Sequence, residues 1–152
     1  MIYQDFLVQR TDPTVPYPIR SSEDAAGWDL YAHDITINTE ARTATIDTGI
    51  KVAFPPGNVM LLFARSGLGT SLGLTPANAV GVIDADYRGP VMVKFRDLTP
   101  AAIDRLRAMR DAPEPERIVQ AVFVPVVQMR LRGVLELPET VRGSGGFGST
   151  GS

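Results

Sequence analysis

No cysteine occurs in the 152 residues, so disulfide frameworks, thiolate metal sites and cysteine nucleophiles are excluded together. The single histidine, His33, excludes multi-histidine metal cages in the same way. No segment stays apolar for the length of a bilayer crossing, so no membrane partner is expected. The opening residues Met1-Ile2-Tyr3-Gln4-Asp5 show no basic region followed by an apolar run, and the expected compartment is the cytoplasm, or the host cytoplasm for a chain of viral origin. A formal net charge of -2 gives no general attraction to nucleic acid or to an anionic surface, so direct nucleic-acid binding is not expected. Any polyanion has to be met by a local site.

What is present is enough for one domain with a real core, and too little for two domains with separate roles. Its apolar residues fall in short β-rich runs, Ile35-Thr36-Ile37, Val59 to Phe63, Pro90 to Phe95 and Ile118 to Val127, separated by Gly, Pro, Asn and Asp. That rhythm predicts an all-β domain. Pro55-Pro56-Gly57-Asn58 reads as a tight turn between strands, and Asp84 to Gly89 as a hairpin tip with more charge than a turn needs. One stretch departs from the rhythm: Thr99-Pro100 starts a helix in which Ile103, Leu106 and Met109 recur at helical spacing up to Arg110. A short surface helix is expected there, stopped by Pro113 and Pro115.

Five segments carry chemistry. In Ala64-Arg65-Ser66-Gly67-Leu68-Gly69 a strand delivers a charged fork, a hydroxyl and a glycine to the start of a helical turn, a plausible phosphate cradle. In Gly81-Val82-Ile83-Asp84-Ala85-Asp86-Tyr87-Arg88-Gly89 three apolar or small residues lead to Asp84, where partial burial would tune the carboxylate as a base; alternation would put Asp84 and Asp86 on one face. Ala25-Ala26-Gly27-Trp28-Asp29-Leu30 surrounds one carboxylate with small and apolar groups, so Asp29 needs a cation, a metal-bound water or backbone donors. Arg117 and Gln120 interrupt an apolar strand, Arg117 to Phe123. The tail from Arg142 to Ser152 combines one arginine and one aromatic with flexible donors, suited to clamping an anion and stacking on a base; it lacks the lysine of a Walker-type loop. Each segment also has a plain reading as a turn, a cap, a core strand or a solvated linker.

Together and in this order the five segments resemble the motifs of the trimeric dUTPases, from about Ala25 to the C-terminus. The resemblance implies a jelly-roll-like β subunit of the β-clip kind, assembled as a homotrimer whose active sites each use more than one chain. It implies hydrolysis of dUTP to dUMP and pyrophosphate, which keeps uracil out of DNA and supplies dUMP for dTMP synthesis. Residues 1–141 would form the domain, with an inserted helix and loop at about 98–113, and residues 142–152 an arm closing over a neighbour's site.

By the same resemblance, the segment holding Val82 would read uracil with backbone groups, Asn78 would add a side-chain amide, and Tyr87 would pack under the deoxyribose and reject a ribose. Asp84 matches the general base that directs a water at the α-phosphorus. Arg65, Ser66 and Gly67 match the phosphate-binding motif, with Ser66 near the bridging oxygen. Asp29 matches the carboxylate holding a water of Mg2+, and Gln120 the glutamine at the α-phosphate. Arg142 aligns with the arginine that meets the γ-phosphate, Phe147 with the lid over uracil, Gly148 with a substrate-binding position, and Ser149 and Thr150 with further γ-phosphate donors.

The chain departs from the pattern at Ala64, where a proline is usual, and at Glu114-Pro115-Glu116, where a glycine-containing turn is common. The inserted helix could be inert decoration, a trimer-edge contact or a docking site for another protein. Two rivals stand beside the main reading. A dCTP deaminase would need a glutamate on the strand Val91-Met92-Val93-Lys94-Phe95, which has none. An idle dUTP-binding sensor would keep the site without turnover.

Overall fold

The structure, a computed structural model, describes residues 4–146. Ten strands and two helices follow one another: β1 (Leu7–Arg10), β2 (Gly27–Tyr31), β3 (Asp34–Asn38), β4 (Thr43–Asp47), β5 (Ile50–Ala53), β6 (Asn58–Ala64), α1 (Ser66–Leu72), β7 (Thr75–Pro76), β8 (Gly81–Ile83), β9 (Met92–Arg96), α2 (Pro100–Arg110) and β10 (Arg117–Pro125). One four-stranded sheet runs β2-β10-β6-β8, a second runs β3-β4-β9-β7, and β1 pairs with β5 alone. Every pairing between named strands is antiparallel. The all-β, jelly-roll-like architecture expected from the sequence is the one observed.

Alternation explains which side of each strand is buried. Met60 and Leu62 of β6, Ala44 and Ile46 of β4, and Val93 and Phe95 of β9 enter one shared core, while Met92, Lys94 and Arg96 face out. Burying such side chains stabilises by about 1.5–3 kcal/mol each before chain entropy is counted. Phe6, Trp28, Phe54 and Phe123 close one end, with ring centroids 4.7–5.6 Å apart in edge-to-face pairs.

The helix at Pro100–Arg110 forms as the sequence predicts, with the Thr99 hydroxyl accepting the Ala102 N–H at 3.1 Å and Pro100 in the first turn. It is less superficial than expected. Ala102, Ile103, Leu106 and Met109 are buried in the main core, and the helix packs on β3. Arg105 then clasps Glu116 through both ends of its guanidinium, which ties the helix to the start of β10. This hydrogen-bonded arginine holds the Glu116 carboxyl below its usual range.

Two expectations about turns need correction. Asp84 to Gly89 is no hairpin tip: β8 belongs to one four-stranded sheet and β9 to the other, so the segment carries the chain between sheets. Strand geometry ends at Ile83, so alternation does not govern Asp84 and Asp86. The long-range partners of β8 and β9, which local sequence does not encode, make the difference. The chain leaves the sheet after Pro125, and Val127, Met129, Leu131, Leu135, Leu137 and Val141 are exposed.

Candidate active site

Asp29 lies buried in β2, only 4% exposed. Its Oδ1 accepts Nε of Arg65 at 3.0 Å, and its Oδ2 accepts a terminal nitrogen of Arg117 at 3.0 Å and the Ser21 hydroxyl at 3.4 Å. A buried carboxylate requires such partners, and here they are two guanidinium groups. Arg65 precedes α1, whose first turn contains Ser66 and Gly67, has no side-chain cap and no acidic residue. The first N–H groups of that turn are left to other acceptors. Gly73, at φ 66°, ends the helix: its N–H donates to Gly69 O at 3.0 Å and the Leu74 N–H donates to Leu68 O at 3.5 Å. Arg117, noted in the sequence only as an interruption of the apolar run, is the site residue that sequence reasoning missed. A charge on an otherwise apolar strand, in a chain whose Asp29 needs a cation, was the available signal.

Gln120 pairs across the sheet with Asp29 on one side and Phe63 on the other. Its side chain leans diagonally over Gly27, where a Cβ would stand 2.4 Å from Gln120 Cγ and Nε2. Gly27 therefore makes room for Gln120, a role the sequence did not reveal. A register shift in β10 between Arg117 and Val119 lies next to this pair, and such irregularities re-aim side chains near sites.

The remaining residues gather elsewhere. β8 is an edge strand, paired on one side with β6 and on the other with no strand among the described residues, so backbone groups there are open to a ligand. Val82 is exposed on it. Asn78 sits exposed in the turn leading into β8, where Ala79 takes φ 63°, the left-handed region that a non-glycine residue seldom enters. Beyond β8, Asp84 accepts the Tyr87 N–H on its backbone carbonyl at 3.1 Å, and Arg88 ties the turn by donating to Ala85 O and Tyr87 O at 2.7 Å each. Asp84, Asp86, Val82 and Arg88 line an open groove of about 860 Å³ with Asn58 and Gln128. The partial burial expected for Asp84 is not found in the single chain: its side chain is exposed, with no cover from the described residues of this subunit.

The two clusters do not meet within one chain. Gln120 is level with Phe63 in the sheet, whereas Ile83 is level with Met60 and Asp84 follows it. Asp84 and Asp29 are thus at opposite ends of the sheet and on its opposite edges, roughly 13 Å apart along the strands and about as far across them. Arg142 is exposed, its Nε donating to Gly145 O at 2.9 Å. Phe147, Gly148, Ser149 and Thr150 lie outside the described residues. Among the described residues no three His, Cys, Asp or Glu side chains gather as a metal site.

Residues 14–151 match the family model described as dUTPase. A curated relative from Rhodococcus erythropolis, deoxyuridine 5'-triphosphate nucleotidohydrolase, is 42% identical over 146 residues, covering 95% of this chain and 84% of that protein. The chain belongs to the dUTPase family. Its activity is accordingly that of a dUTP diphosphatase, hydrolysing dUTP to dUMP and pyrophosphate. Among solved structures, the dUTPase of Staphylococcus bacteriophage 80alpha with dUPNHPP is 26% identical, with a TM-score of 0.77 over 97% of this chain and 99% of that one. A mutant dUTPase from phage phi11 of S. aureus, 22% identical with a TM-score of 0.70 over 89% of this chain and 99% of that one, shares the fold and is described as coordinating a structural Mg(II) ion.

Proposed function

We propose that the dUTPase reaction proceeds in sites completed by several copies of this chain, with the Asp84 half and the Gln120 half of each site coming from different subunits of a homotrimer. The separation of Asp84 from Asp29 and Gln120 across one sheet is the observation that carries this reading. The arm supports it. Val127, Met129 and Leu131 alternate with Gln128, Arg130 and Arg132 as in a half-buried strand, yet in one subunit all three apolar residues face solvent. A neighbouring subunit would cover them and bring Arg142 to its phosphates.

In this assembly Asp84 takes a proton from a water as the water oxygen bonds to the α-phosphorus. The bond from that phosphorus to the bridging oxygen breaks, and pyrophosphate departs with the electron pair. Ser66 and the first N–H groups of α1 receive the charge growing on the bridging oxygen. Arg65 reaches the phosphates, held by Asp29 through Nε while its terminal nitrogens remain available. Gln120 orients the α-phosphate, the open edge of β8 with Val82 and Asn78 reads uracil, and Tyr87 supports the deoxyribose. Arg142, Phe147, Gly148, Ser149 and Thr150 close the site.

The residues present suit Mg2+ only as an ion carried on the triphosphate with its waters, since the described residues form no cage for it. Asp29 would accept one of those waters, having already committed most of its lone pairs to Arg65, Arg117 and Ser21. Bound there, Mg2+ would neutralise phosphate charge. We place the enzyme in the cytoplasm, in keeping with the absence, among the described residues, of any helix long and apolar enough to cross a membrane.

Subunit mixing tests the shared site. Asp84→Asn and Gln120→Ala proteins, each inactive alone, are unfolded together and refolded, and pyrophosphate release from dUTP is measured. Mixed trimers should recover activity, because an interface can then combine an intact Asp84 from one chain with an intact Gln120 from another. Mixed trimers without activity would place both groups of each site in one subunit.

A further inference from the structure

Tyr87 and Gly89 are packed against each other inside the turn that follows β8. The turn is closed by the Tyr87 N–H, which donates to Asp84 O at 3.1 Å, and the phenol O–H reaches forward to Pro90 O at 3.0 Å. The ring is thereby folded back over the backbone of Gly89. A Cβ at Gly89 would stand 2.4 Å from the phenolic oxygen, 2.6 Å from Cζ and 3.0 Å from Cε2, and these three nearest atoms all belong to Tyr87. Gly89 is not among the glycines with positive φ, so its backbone conformation is open to any L-residue. What excludes a side chain is the tyrosine ring.

We propose that Gly89 is a specificity-determining residue of the dUTPase site: by carrying no side chain it fixes the position of the Tyr87 ring, and through that ring the preference for deoxyribonucleotides over ribonucleotides. This rests on the reading of Tyr87 as the support of the sugar. A phenol ring is rigid beyond Cβ, so a methyl group at Gly89 cannot be accommodated by a bend at its tip. The whole ring must rotate about χ1, which breaks the hydrogen bond to Pro90 O. The same turn holds the Tyr87 backbone to the Asp84 carbonyl. Displacement of the ring opens the space that a 2′-hydroxyl would otherwise be denied.

The test compares kcat/KM for dUTP and UTP in the wild type, Gly89→Ala, Tyr87→Ala and the double variant, with thermal stability and oligomeric mass measured alongside. Gly89→Ala should lower the dUTP-to-UTP ratio by roughly tenfold or more, a change that a loss of stability alone would not produce. The double variant should match Tyr87→Ala, since Gly89 acts only through the ring. If Tyr87→Ala lowers the ratio and Gly89→Ala does not, the inference is overturned while the role of Tyr87 stands. If Tyr87→Ala itself leaves the ratio unchanged, the sugar-support reading fails and the inference falls with it. Should Gly89→Ala fail to assemble, recovery of assembly in the double variant supports the clash, and continued failure overturns it by showing that Gly89 serves the backbone.

Discussion

Nε of Arg65 donates to Oδ1 of Asp29 at 3.0 Å, joining the residue before α1 to β2 across 36 positions of the chain. Arg117 holds the other oxygen of the same carboxylate, so one buried charge orients two arginines. Asp29→Ala would leave both guanidinium groups without their anion in a partly buried place. We expect a stability loss of about 1–3 kcal/mol and a raised KM for dUTP, read by urea unfolding and steady-state kinetics. An unchanged KM would show that the orientation of Arg65 is immaterial to substrate binding.

Asp84 is exposed in the isolated subunit and contributes little to the core. Asp84→Asn should therefore fold and assemble normally, while kcat for dUTP falls by roughly a hundredfold or more through loss of the base. Pyrophosphate release measured at saturating nucleotide checks this, and near-normal turnover would remove Asp84 from the chemistry.

Deletion of Gly143 to Ser152 tests the closing arm. The deleted residues succeed a stretch that makes few contacts with its own subunit, so the thermal midpoint should stay within a degree or two of wild type. Turnover should drop strongly because the site stays open to water. Unchanged kinetics would refute the assignment of a lid to this end of the chain.

Leu106 of α2 is fully buried. Leu106→Ala should cost about 2–5 kcal/mol by leaving a cavity under the helix, measured as a shift of the denaturation midpoint. A loss within experimental scatter would mean that the helix is detachable from the core.

The Arg105–Glu116 pair gives a pH-dependent prediction. The hydrogen bonds from Arg105 hold the carboxyl of Glu116 below its ordinary value in the folded chain. A lowered folded value means that the stabilisation is fully present above the unfolded value and disappears as the pH falls through the folded one. Both side chains are 38% exposed, so the screened pair contributes at most about 1 kcal/mol. Glu116→Gln should thus be slightly less stable than wild type at pH 7, with the difference vanishing in acid. Chemical denaturation at a series of pH values measures it; a difference that grows toward acid would contradict the pairing.

Much of the architecture is legible in local sequence because strand and helix periods are local properties. Ile35-Thr36-Ile37 and Val59 to Phe63 become strands, and the spacing of Ile103, Leu106 and Met109 becomes the buried face of a helix begun at Thr99 and Pro100. The turn after Ile83 has the composition of a hairpin yet joins two sheets, because turn residues reverse a chain equally well within one sheet or between two. Gly27 and Gly89 looked like ordinary small residues, for the atoms that crowd them belong to Gln120 and Tyr87 and are located by packing.

The sequence by itself determined the type of protein: an all-β domain carrying the ordered residues of a dUTPase, with no cysteine chemistry. Only the tertiary structure decided that Asp29 is shared by Arg65 and Arg117, that α2 belongs to the core, and that Asp84 stands at the far end of a sheet from Gln120. Residue types and periods are written along the chain, but pairing register and sheet membership depend on contacts between distant segments, and these set which groups can reach one another.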